Sequence, residues 1–142
     1  MERLYPMDID VRTLSPLALA FVGDGVYEML VRERLVCLAN RPPRELHREA
    51  VALVRAEAQA AAMERVMPLL TEQETAVYKR GRNAHTTRNS EEYHRATGLE
   101  ALFGYLYLNG EIDRVRCLFS IMMGDANDNT VLSEGSSCEQ DG

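Results

Sequence analysis

Between Leu17 and Leu38 apolar residues occupy almost every face of a helix, and Gly23-Asp24-Gly25 sits in the middle of them. A helix apolar on nearly every side until Arg32 has to be central and buried in whatever fold forms around it. Ser15-Pro16 ahead of it supplies an N-cap and a proline at the first helical position. Asn40-Arg41-Pro42-Pro43 ends it. Asp24 is the anomaly. Its helical neighbours three and four residues away are Ala20, Phe21, Tyr27 and Glu28, none of them basic. Glu100 repeats the anomaly in a second apolar helix, with Ala96, Thr97, Phe103 and Gly104 around it. A buried, unpaired carboxylate neutralises, finds a distant partner or binds a cation. Two of them on two core helices point to a shared divalent metal, with a long-range pair to an arginine as the equal alternative. Glu28 needs no such account, because Arg32 lies four residues on.

The two glycines beside Asp24 each cost about 1 kcal/mol relative to alanine inside a helix. They imply close approach by another helix, by a ligand, or by both. Gly98 and Gly104 in the second helix carry the same alternatives.

The 142 residues form one domain with room for a real core. Residues 1–14 read as an irregular or short helical lead-in. From Pro43 to about Leu70 the pattern is helical, in one or two segments, with Leu46, Ala50, Leu53 and Val54 on its apolar face. Thr71-Glu72-Gln73-Glu74 matches a capping box and starts a helix to about Arg80. Gly81 to Ser90 is polar and reads as a loop. Helices over about Glu91–Leu108, ended by Asn109-Gly110, and Ile112–Met123 complete an all-α domain over 1–123. Residues 124–142, rich in Gly, Ser, Asn and Asp, are expected to be an acidic disordered tail.

The net charge of −6 argues against nucleic acid until its distribution is considered. Five acids and no Lys or Arg lie in the last 19 residues, leaving 16 basic against 17 acidic side chains elsewhere. Within that near-neutral body, Lys79, Arg80, Arg82, Asn83, His85 and Arg88 form a basic, polar segment suited to phosphates, sugars and base edges. The plainer alternative is a solvated surface loop. Cys37, Cys117 and Cys138 are odd in number, have no ligand spacing and fit a reducing cytoplasm. No apolar run reaches transmembrane length, since Asp24 and Glu28 interrupt the longest. The first eight residues do not resemble a signal peptide. A cytoplasmic location without a membrane partner is expected. No zinc spacing, P-loop or nucleophile elbow is present.

These motifs resemble a known family. Ala20-Phe-Val-Gly-Asp-Gly-Val-Tyr-Glu28 is similar to the signature helix of ribonuclease III domains, and Thr97-Gly-Leu-Glu-Ala-Leu-Phe-Gly-Tyr-Leu-Tyr-Leu-Asn-Gly110 to their second motif. With the Arg80-Gly-Arg-Asn-Ala-His85 segment between them, the likeness is strongest to the Mini-ribonuclease III branch, over about residues 14–123. The resemblance implies an all-α ribonuclease III-like fold, a homodimer, and magnesium-dependent cleavage of double-stranded RNA without a separate RNA-binding domain. It makes Asp24 and Glu100 the catalytic metal ligands. By analogy the substrate is 23S ribosomal RNA precursor, which brings a ribosomal protein or pre-ribosomal particle in as a candidate partner. Two positions depart from the wider family: Ala20 stands where it has a glutamate, and Thr97 where it has an aspartate. Thr97 could hold a water at the metal, and the number of metals stays open. The departures also motivate the alternative of a non-catalytic RNA-binding or ribosome-assembly protein on the same fold.

Overall fold

In a computed structural model, residues 2–84 and 90–125 are described. Among them are six α-helices and two short 3-10 turns, Val11–Thr13 and Met67–Leu69, and no strand. The helices are α1 (Pro16–Leu38), α2 (Pro43–Val54), α3 (Ala56–Val66), α4 (Glu72–Arg82), α5 (Glu91–Leu108) and α6 (Ile112–Met122). The tail expected over 124–142 lies outside the described residues from 126 onward.

Local chemistry sets the boundaries. The Ser15 side chain accepts from the Ala18 N–H, with Pro16 in the first turn of α1. Thr71 and Glu74 close the capping box at the start of α4. Ser90 caps α5 through the Tyr93 N–H. Gly110, at φ +79, takes the left-handed conformation that stops the chain after α5. One boundary differs from expectation. Gly81 and Arg82 belong to α4 and not to a loop, because Gly81 packs directly on Gly98 and Ala101 of α5.

The middle of the fold is α5, whose Leu99, Ala101, Leu102, Phe103 and Leu106 are fully buried. Helices α1, α3, α4 and α6 pack around it. Tyr27 of α1 meets Phe103 and Phe119 edge-on, with ring centroids 5.4 and 5.5 Å away. Helix α1 is less enclosed than its composition suggests. Leu19, Gly23, Tyr27, Val31 and Leu35 turn inward. Phe21 is 84% exposed, and Leu17, Met29, Val36 and Leu38 are exposed beside it. Among the described residues, partners cover only one side of this helix.

A buried ion pair ties α4 to α6. Arg114 donates from Nε and Nη2 to the two carboxylate oxygens of Glu74, at 2.9 and 2.8 Å, and from Nη2 to the Leu69 carbonyl. Oε1 of Glu74 also accepts the Thr71 N–H of its own capping box.

Candidate active site

Helices α1 and α5 cross with main chain against main chain. A Cβ on Gly23 would overlap the Glu100 carbonyl, and one on Gly104 would overlap the carbonyl of Leu19. This is why glycine is tolerated inside both helices despite its cost. The same crossing brings the two anomalous acids together. Glu100 is half-buried, and burial pushes its carboxyl up to about 8. Asp24 beside it adds to the shift, by a side-chain hydrogen bond and by its charge. Asp24 itself is exposed. The pair therefore has one recessed member and one facing solvent. Among the described residues neither acid is paired with an arginine. Glu28 does pair with Arg32, at 2.9 Å.

At two positions beside this pair the side chains are neutral. Ala20 is buried. Thr97 is buried as well, and its hydroxyl donates to the Tyr93 carbonyl at 3.1 Å. No group of three or more His, Cys, Asp or Glu side chains able to hold a metal occurs among the described residues. A two-carboxylate donor set still suits magnesium, which keeps several waters and takes phosphate oxygens alongside one or two carboxylates. The raised Glu100 carboxyl fits it: burial first, and then Asp24 beside it, disfavour the charged form, and a cation would compensate both.

The other candidate residues do not form one patch. Lys79 and Arg80 are exposed on the last turn of α4. Lys79 borders a groove with Leu70, Glu72 and Thr75. Arg82 turns to the opposite groove, where its guanidinium lies 5.8 Å from the centroid of the Tyr78 ring. Asn83 is the exposed C-cap residue of α4. His85 and Arg88 lie outside the described residues. Arg95, on α5, joins the same groove as Arg82 and pairs with Glu64 and Glu91. Neither the groove that Arg95 and Tyr78 share nor the Arg95–Glu64 pair can be read from the sequence, because α3 is distant from both in the chain.

A helical fold with two acids held across a glycine crossing defines a class. The chain matches the ribonuclease III domain over residues 17–111 and belongs to the ribonuclease III family. Its relatives place it in the Mini-ribonuclease III branch. A Mini-ribonuclease 3 from Thermoanaerobacter sp. is 45% identical over 116 residues, 78% of this chain and 82% of that protein. One from Symbiobacterium thermophilum is 48% identical over 108 residues, 72% and 83% of the respective chains. A crystal structure of a Fusobacterium nucleatum protein shares the fold at a TM-score of 0.74 and 28% identity, covering 82% of this chain and 98% of that one. The chain is thus an endoribonuclease acting on double-stranded RNA. Among the described residues no helix is long and apolar enough to cross a membrane.

Proposed function

We propose that Asp24 and Glu100 are the catalytic pair of this nuclease, that they act with magnesium, and that the natural substrate is 23S ribosomal RNA precursor, met free or on a pre-ribosomal particle. The close crossing of α1 and α5, which seats Gly23 on the Glu100 carbonyl and so brings Asp24 beside the recessed Glu100 carboxyl, carries this reading.

Magnesium, when bound, would supply positive charge against the scissile phosphate and acidify a water. The side chains divide the remaining work. Asp24, on the solvent side, offers oxygens where an RNA phosphate can reach the pair. Glu100, recessed on α5, gives up its proton once a cation is near and holds the inner edge of the site. Thr97 adds a hydroxyl and no charge, so the pair carries two negative charges when fully ionised. The exposed Lys79 and Arg80 and the residues after Arg82 are offered to the RNA backbone, where recognition rests on A-form shape, phosphates and 2′-hydroxyls. The exposed apolar side of α1 supports a two-fold dimer that sets one site against each strand.

The test is cleavage of long duplex RNA with magnesium and with chelator. Asp24→Asn keeps the size and removes the charge, so cleavage is expected to fall by several orders of magnitude with melting unchanged. Glu100→Gln is expected to match it. Near-normal cleavage by either variant sinks the assignment of the pair. Duplex binding by the natural chain without any cleavage would move the reading to the non-catalytic alternative.

A further inference from the structure

On the flank of α5 away from Glu100, helices α3, α4 and α5 enclose a cavity of about 320 Å³. Ala60, Met63 and Met67 give it an apolar floor, and Arg82, Arg95 and Glu64 put two cations and a carboxylate on its rim. Tyr78 forms the back wall and is itself 3% exposed. The wall is fixed from behind, because a Cβ on Gly98 would press into the Tyr78 ring and glycine leaves room for it. Arg82 lies over that ring at 5.8 Å. Arg95 is held at the rim by ion pairs of 3.0 Å to Glu64 and 3.3 Å to Glu91. The cavity is therefore built and not a gap between mobile side chains.

We infer that this cavity receives one unpaired nucleobase of the RNA substrate, stacked against the methionine floor and the Arg82–Tyr78 pair. The inference rests on the reading of the chain as a double-stranded RNA nuclease. A phosphate alone has no use for a floor of alanine and methionine. A base does, because its faces are apolar and stack on aromatic rings and guanidinium planes. Glu64 on the rim adds a carboxylate that accepts from a base amino group. Of the charges at the mouth, Arg95 is balanced by Glu64 and Glu91, and Arg82 is left as the cation for the RNA backbone. Position suits it too. Arg95 lies five residues before Glu100, about 7.5 Å along the axis of α5 and on another side of it. Paired bases hide their faces inside the duplex, so the cavity selects substrates with a bulge, a mismatch or a frayed end beside the cut.

The test uses the full chain in chelator and two duplexes, one fully paired and one with a single unpaired 2-aminopurine, whose fluorescence falls on stacking. The natural protein is expected to quench the 2-aminopurine saturably. Arg95→Ala and Met67→Ala are expected to lose the quenching and to bind the unpaired duplex about tenfold more weakly. Their binding and magnesium-dependent cleavage of the fully paired duplex should stay within about twofold. Two side chains are used because each removes a different part of the cavity, floor or rim. Absence of quenching by the natural protein, or equal quenching by it and both variants, overturns the inference, including the case in which the cavity serves a protein side chain instead. Failure of the natural protein to cleave paired RNA would overturn the nuclease reading, a result separate from the fluorescence.

Discussion

Gly23 and Glu100 touch through their backbones, with the missing side chain of one occupied by the carbonyl of the other. Gly23→Ala leaves no flexible atom to move aside, so α1 and α5 must separate. Overpacking of this kind costs on the order of 3 kcal/mol. The variant is expected to melt lower and to lose cleavage beyond what the lost stability explains, because the acids part. A Gly23→Ala protein with ordinary melting and activity would show that the crossing does not set the site.

The raised carboxyl of Glu100 makes stability depend on pH. Its folded pKa, about 8, lies above the ordinary value of 4.5. Its contribution is therefore fully present below about 4.5 and is lost as pH rises through 8. Metal-free protein should lose on the order of a few kcal/mol between pH 5 and 9 from this group. Glu100→Gln should flatten that decline and melt higher than the natural chain at pH 9. Magnesium should do the same for the natural chain and release a proton near pH 7. Thermal melts across this range, with and without magnesium, check the sign.

The exposed row on α1 gives a test of assembly. Phe21→Lys places a charge where an apolar surface is expected to meet its copy, while the residue makes no demand on the core at 84% exposure. Gly25 lies in the same stretch, and a Cβ there would meet nothing within 4 Å in one chain. Sedimentation should find a dimer for the natural chain and a folded monomer for Phe21→Lys. Identical sedimentation of the two proteins would place any interface elsewhere.

Salt dependence separates the cations of α4. Arg80 is exposed and has no ion pair among the described residues, so Arg80→Ala should weaken duplex binding and lower the salt slope by about 0.7–0.9 for each phosphate released. Arg82→Ala should also disturb the Tyr78 wall. An unchanged slope in the double variant would take this turn out of the RNA contact.

What the sequence conveys is what depends on neighbouring residues. Ser15 before Pro16, Thr71 with Glu74, and Asn109-Gly110 each state a helix boundary within four residues, and the structure places the boundaries there. Asp24 and Glu100 could be picked out because a carboxylate lacking a local partner is visible in a helical register. Their meeting could not be derived that way, since 75 intervening positions separate them, and it came from likeness to a family. Composition shows that α1 is apolar all round and, for a related reason, cannot show which of its faces the same chain covers. Arg114 reads as an ordinary surface arginine until Glu74, forty residues earlier, is found against it.

That last contact has a mechanical consequence. Helix α4 is pinned at its start by Glu74 on Arg114 and at its end by Gly81 seated on Gly98 and Ala101. It behaves as a beam about 16 Å long with both ends fixed, and the turn bearing Lys79 and Arg80 is part of the fixed end. If this turn contacts RNA as proposed, the RNA meets a main chain already held in place. Only the long side chains remain to be ordered, at about 0.5–1.5 kcal/mol each, and no part of the association energy goes into straightening the support beneath them.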